Sequence, residues 1–372
     1  MRLYWLMANA KLKYWKLNMK ANKIVIFIIL LILSSTAFAQ IKAVWLPVWD
    51  FSSAEKIDHA IANCKKYGIT HIIAQTRYRG DTMYVSNRRN KAYPNAEKPS
   101  YLLTNNFDPL QYLIDNAGEI KIFAWVTTFV ITPHKLNNLD PEHIYFNQPE
   151  WITADFTNTK MNHETYEGAF LDPGLPEVQT YTKNVILDIA ANYKIDGIQL
   201  DYIRYPDRYF GLNKAARKNY KEAVQFEDAD SWLKWKEEQI NKFVKSIYEE
   251  IKKISPELTL SAAVIANPDN AIERFSQNWF TWLENEYIDL VFPMAYTTSN
   301  AGLNGMYQVY PKNFQSKIVP GLRAWSPNNS YPVAHINDKI DITLKYDFAG
   351  IAFFSYSGMV KNNYFDKLKI KD

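Results

Sequence analysis

The stretch Asp196-Gly197-Ile198-Gln199-Leu200-Asp201-Tyr202-Ile203-Arg204-Tyr205-Pro206 decides the fold. Side chains alternate across a strand, so Gly197, Gln199 and Asp201 share one face while Ile198 and Leu200 share the other. A strand with a polar face that ends on a carboxylate suits a closed barrel. Its outer face packs on helices and its inner face climbs towards an open mouth. The run 71–78 repeats the pattern: His71, Ile73, Gln75 and Arg77 share a face, with Gly80 and Asp81 just beyond its end.

Along the rest of the chain, strand-like apolar runs occupy 43–47, 71–78, 120–127, 197–203, 258–265, 288–296, 318–323 and 350–355. Helical spacing lies between them. Leu110, Leu113, Ile114 and Ala117 make one such face, and Val178, Tyr181, Val185 and Ile189 another. Ile240, Phe243, Val244, Ile247, Tyr248 and Ile251 make a third; the helix between the sixth and seventh strands has the faintest pattern. Links from helix to strand are short (66–68, 118–119, 193–196 and 255–257), whereas 79–107, 128–175 and 206–230, which come after strands, are long. Loops beyond ~12–15 residues are uncommon without a function, and barrel enzymes build their sites on the strand C-terminal side. The predicted fold is therefore α/β, a single (β/α)8 TIM barrel with long βα loops over residues 40–372. A doubly wound sheet is the runner-up, but neither G-x-G-x-x-G nor a P-loop occurs.

The 372 residues include 43 Lys+Arg and 39 Asp+Glu, a formal net charge of +4. That excess sits in residues 1–39, which hold six basic residues and no acidic ones. Residues 24–33 are an apolar run preceded by Lys20 and Lys23 and followed by small residues at Ala37 and Ala39. This is the pattern of a secretory signal peptide cleaved after Ala39, too short for the ~20 residues that span a bilayer. A true start at Met19 is expected, because it shortens the leader to an ordinary length, and Gln40 rather than Cys at the cleavage point disfavours a lipid anchor. The mature chain carries 37 basic against 39 acidic residues. A net −2 removes the electrostatic case for nucleic acid. The expected location is periplasmic or extracellular, with no membrane anchor after cleavage and a monomeric chain. The lone Cys64 lies on a helical apolar face and reads as a buried small hydrophobe.

Aromatic residues are abundant, with 25 Tyr, 20 Phe and 11 Trp, and Trp45, Trp125, Trp325, Tyr84, Tyr202 and Tyr296 fall at or near strand ends. The apolar faces of sugar rings stack on such side chains. Trp232 with Trp235 and Trp279 with Trp282 are spaced for helix packing instead. The six His show no HExxH spacing, although His134, His143 and His163 share a loop, and no G-x-S-x-G elbow occurs. No metal or cofactor is expected. Lys214, Arg217, Lys218 and Lys221 read as a solvated helix face.

These residues resemble a known family, the exported glycosyl-hydrolase-like proteins of the "family 10-like" group, formerly a domain of unknown function. The resemblance runs from about Lys42 to Ser357 and begins with Ala43-Val44-Trp45. Gln75-Thr76-Arg77 with Gly80-Asp81 and Tyr84 is similar to the family's Q-x-R-x-x-G-D-x-x-Y. Phe107-Asp108-Pro109-Leu110, Phe123-Ala124-Trp125, and Leu171-Asp172-Pro173-Gly174 with Pro176-Glu177-Val178 resemble further landmarks. The opening stretch resembles D-G-I-x-x-D-D-Y-x-Y-P, with Asp201 on the first Asp of the pair and Tyr202 in place of the second. Pro293-Met294-Ala295-Tyr296 departs from P-Q-x-Y. The resemblance implies a barrel that hydrolyses glycosidic bonds of a cell-envelope or extracellular polysaccharide, with peptidoglycan glycan strands a leading substrate class.

Glycoside hydrolysis ordinarily uses two carboxyl groups flanking the bond, one protonated and one ionised. Asp201 is the first candidate, by its place on the strand; an ion pair with Arg204 or Arg77 is its alternative, purely structural role. Asp81, Asp50, Asp172 and Asp269 are candidates for the partner, with Asp81 favoured. The expected substrate-binding residues are Trp45, Gln75, Arg77, Tyr84, Trp125, Gln199, Tyr202, Arg204, Tyr296 and Arg323. The competing function is a non-catalytic glycan-binding envelope protein on an inactive barrel.

Overall fold

A computed structural model describes residues 40–370 apart from 105–106, 165, 224–227 and 328–330. The predicted signal segment lies outside the described residues. Nine strands succeed one another in chain order: β1 Ile41–Leu46, β2 His71–Tyr78, β3 Asp81–Thr82, β4 Lys121–Thr127, β5 Gly197–Asp201, β6 Thr259–Val264, β7 Leu290–Ala295, β8 Gly321–Arg323 and β9 Gly350–Phe354. All but β3 are parallel, and β9 pairs back onto β1, so eight strands close into a barrel. The two-residue β3 folds back antiparallel on β2. This is the (β/α)8 barrel that the alternating runs predict.

Alternation along each strand divides the core into two layers. Trp45, Ile73, Phe123, Trp125, Phe292 and Val319 form a cluster inside the barrel. Val44, Leu46, Ile72, Ala74, Ile122, Ala124, Ile198 and Leu200 belong to the larger layer between sheet and helices. Gly197 marks how tightly the lumen is filled: a Cβ there would lie 2.7 Å from Phe123 Cζ. An Ala there would have to push the Phe123 ring aside.

The helices start where the chain supplies a cap. Ser53 caps Ala54–Lys66, whose buried face is Ile57, Ala60, Ile61 and Cys64. Asp228 caps the 26-residue helix Ala229–Ile254, which buries Ile240, Phe243, Val244, Ile247 and Ile251. The faint helix between β7 and β8 is Asn300–Gln308, capped by Ser299. Lys214–Ala223 is helical, with Lys214, Arg217 and Lys218 exposed as their spacing predicts. Trp279 and Trp282 are buried, with their indole N–H groups donating to Ile265 O at 3.2 Å and Asn241 Oδ1 at 2.7 Å. No described helix is long and apolar enough to cross a membrane.

One irregularity governs the site. The parallel register between β2 and β4 pairs Gln75 with Trp125 but Arg77 with Val126, so a β-bulge lies between Gln75 and Arg77. A bulge inserts one residue into one strand and reverses the facing of the residues after it. Gln75 faces the lumen and Arg77 the helices.

Candidate active site

Asp201 ends β5, at the C-terminal mouth where barrel sites form. Its Oδ2 accepts a hydrogen bond from Trp125 Nε1 at 2.9 Å and its Oδ1 one from the Tyr202 backbone N–H at 2.8 Å. Among the described residues it makes no ion pair, so the salt bridge to Arg77 or Arg204 does not form. Burial raises its pKa to about 6, against the opposing pull of the Tyr202 N–H, the Arg204 charge and the Trp125 indole. Such a carboxyl can hold a proton close to neutral pH.

The cavity above Asp201 has a volume of about 480 Å³. Its apolar wall is a chain of rings. Phe354 lies 5.9 Å from Trp45, 6.2 Å from Trp125, 5.7 Å from Trp325 and 5.4 Å from Tyr296, centroid to centroid. Gln75, with Oε1 accepting from Val48 N–H at 3.3 Å, adds an amide to the lining. Tyr202 leaves the strand with φ of +52°, a left-handed conformation that is uncommon for a bulky side chain. Its ring packs edge-on to Phe170 and lies 5.1 Å from the guanidinium carbons of both Arg79 and Arg204. Arg204 is itself only 8% exposed.

Trp45, Gln75, Trp125, Asp201, Tyr202, Arg204 and Tyr296 thus meet in one cavity. Five other predicted residues do not line it. Arg77 is turned away by the bulge and is fully buried, paired with Glu97 at 2.5 Å and donating to the carbonyls of Thr127 and Thr128. Tyr84 is buried in the same region, edge-on to Tyr193 and accepting from Asn95 Nδ2 at 2.8 Å. Asp81, in β3, is buried near Ser100 and Glu97; burial raises its pKa to about 7, but it lies off the cavity lining. Gln199 sits one layer deeper, where its Oε1 accepts from the Trp45 indole N–H. Arg323 stacks under Trp325, 4.5 Å from its ring, and so holds a wall residue in place.

The remaining candidate partners lie elsewhere too. Asp172 is buried, accepting from Gly174 N–H and Thr153 Oγ1, Asp50 accepts from Ser357 Oγ, and Asp269 is exposed on a helix. The carboxylate that does line the cavity with Asp201 is Glu167, 3.4 Å from Arg204 Nη2. Nothing periodic marks Glu167, because it sits in the long loop after β4. Arg79 was equally hidden, one residue past β2. Phe354 was legible: it comes after Gly350 and Ala352 on the inward parity of β9. His143 and His163 meet the backbone oxygens of Arg79 and His134, and the described residues contain no group of three or more His, Cys, Asp or Glu side chains arranged to hold a metal.

A closed (β/α)8 barrel whose mouth joins a buried carboxyl to a wall of aromatic rings is an architecture that can accommodate a sugar. The chain belongs to the glycosyl hydrolase-like 10 family, which it matches over residues 40–324. It is 23% identical over 273 residues to glycosyl hydrolase DigH of Escherichia coli O6:H1, covering 65% of this chain and 57% of that protein. It is 25% identical over 205 residues to glycosyl hydrolase YngK of Bacillus subtilis, covering 52% of this chain and 36% of that one. The chain therefore spans little more than half the length of these relatives, or less. In fold it is similar to the PgaB (BpsB) glycoside hydrolase domain of Bordetella bronchiseptica, with a TM-score of 0.67 at 12% identity over 88% of this chain and 97% of that one. It is also similar to α-L-fucosidase isoenzyme 2 of Paenibacillus thiaminolyticus, with a TM-score of 0.60 at 11% identity over 88% of this chain and 48% of that one.

Proposed function

We propose that this protein is an exported, monomeric glycoside hydrolase acting on O-glycosidic bonds of a cell-envelope or extracellular polysaccharide. Peptidoglycan glycan strands are the leading substrate. The observation that carries the reading is the buried Asp201 carboxyl at the floor of an aromatic cavity. Sugar faces stack on the partly exposed Tyr296, Trp325 and Phe354 rings, backed by the buried Trp45 and Trp125, which sets the scissile oxygen over Asp201. Asp201, its pKa raised by burial, delivers a proton to the leaving oxygen. Glu167, held beside Arg204, serves as the second carboxylate, in the place that the sequence alone assigned to Asp81.

A specific observation favours a second reading, glycan binding without hydrolysis. Tyr202 fills the position after Asp201 with a ring, and Glu167 is exposed on a loop at the rim. Reducing-end release from peptide-free peptidoglycan strands and a panel of envelope glycans separates the two. Hydrolysis predicts product, with Asp201→Asn keeping the native circular dichroism spectrum and losing about a hundredfold or more in rate. It also predicts that kcat/KM declines as pH rises through about 6, where the acid gives up its proton. Unchanged turnover in Asp201→Asn would sink the assignment, and retention of glycan without product would establish the binding reading.

A further inference from the structure

Two arginines, Arg79 and Arg204, line the cavity without an ion pair to Asp201 among the described residues. Arg79 stands one residue beyond β2 with φ of +58°, and Gly80 is next at +82°. Two left-handed residues in succession turn the chain sharply at the rim. The Arg79 backbone is held on both sides, by its N–H donating to Thr127 Oγ1 at 3.3 Å and its carbonyl lying 3.0 Å from His143 Nε2. Its side chain lines the cavity with Nε and Nη1 shielded from solvent and without a hydrogen-bond partner. Its guanidinium has only rings beside it, Tyr78 at 5.5 Å and Tyr202 at 5.1 Å, and no carboxylate within ion-pair distance among the described residues.

Arg204 shares the Tyr202 ring from its own position, and its Nε is likewise shielded and unpartnered. Its hydrogen bonds are long, Nη2 to Glu167 and Nη1 to the Tyr205 carbonyl, each 3.4 Å, and its guanidinium also lies over the rings of Phe275 at 4.7 Å and Phe170 at 5.6 Å. Hiding guanidinium donors from water without acceptors is unfavourable. A ligand that supplies the acceptors recovers that cost. Glu167 offsets one of the two charges, and Asp201 offsets the other only above about pH 6, where it is ionised. With Asp201 protonated, or replaced by Asn, one positive charge is left over, which suits a singly charged, planar group that a guanidinium fork can grip with two bonds.

We propose that Arg79 and Arg204 form a carboxylate-binding subsite, so that the glycan entering this cavity carries an acidic sugar. The inference rests on the glycan reading and narrows it. Two chemistries supply such a group: the lactyl ether of N-acetylmuramic acid and the ring carboxylate of a uronic acid.

Calorimetric titration of the full chain carrying Asp201→Asn, which avoids turnover, compares three tetrasaccharides. One is the neutral N-acetylglucosamine tetramer; the others alternate N-acetylglucosamine with N-acetylmuramic acid or with glucuronic acid. At least one acidic tetramer is expected to bind about tenfold more tightly than the neutral one, the size of one charge-assisted hydrogen-bonded pair. Whichever does so identifies the source, and the preference shrinks as salt is added. Adding Arg79→Gln is expected to bring acidic and neutral tetramers to within about twofold of each other, while Arg79→Lys retains part of the preference. Equal affinity for all three, or a preference that survives Arg79→Gln, overturns the subsite and leaves the glycan reading standing. Failure of all three to bind removes the glycan reading and the subsite with it.

Discussion

At Asp201, burial competes with two N–H donors and a nearby guanidinium, and burial prevails: the carboxyl titrates near 6 rather than near the ~3.9 of an unfolded chain. This shift links stability to pH with a definite sign. A carboxyl whose folded pKa is raised contributes most below its unfolded value, and that contribution drains away as pH rises from about 4 to about 6. The loss amounts to about 3 kcal/mol for a shift of this size. Asp201→Asn cannot ionise, so its stability relative to wild type should improve by about that amount between pH 4 and pH 7. Urea unfolding of both proteins at the two pH values measures it. A flat difference means that the carboxyl behaves as in water and is unsuited to donating a proton at neutral pH. Asp201 was legible from strand alternation alone. Glu167 and Arg79 were not, because loop residues carry no period and their positions depend on where distant segments meet.

On the scale of a single strand, β2 shows where parity reasoning succeeds and where it stops. Ile73 and Gln75 face inward as alternation requires, and Arg77 does not, because one bulged residue lies between Gln75 and Arg77. The consequence is structural. Arg77 ties the end of β2 to Glu97 in the loop after β3 and to the chain leaving β4, and neither partner of the ion pair is exposed. The Tyr181 hydroxyl donates to the same Glu97 at 2.9 Å, which brings the helix Pro176–Asn192 into the network. Removing one member of a buried pair strands the other charge. Arg77→Met should therefore lower stability by about 3–5 kcal/mol in urea or thermal unfolding, and Glu97→Gln in the same chain should recover much of it. Were Arg77 a substrate contact, glycan affinity would drop with little change in the unfolding midpoint.

For the molecule as a whole, barrel closure leaves no free edge among the eight parallel strands, and the core is apolar with no disulfide to reinforce it. Cys64 is fully buried on its helix, with burial pushing its thiol up to about 12. Ellman's reagent should leave the native protein unmodified and titrate one thiol after denaturation, and reductant should not move the melting temperature. Prompt labelling of the native chain would mean that the helix Ala54–Lys66 opens. Hydrophobic period and loop length were sufficient, from the sequence by itself, to determine the eight strands, the intervening helices, the barrel class and the end of the barrel that carries the site. Those signals are local, and each strand or helix needs only its own buried face to declare itself. The tertiary structure alone decided which charged groups share the cavity. It turned Arg77 and Asp81 away and brought Arg79 and Glu167 in. A bulge, two left-handed residues and the packing of long loops act through contacts between segments far apart in the chain, and no period in the sequence records them.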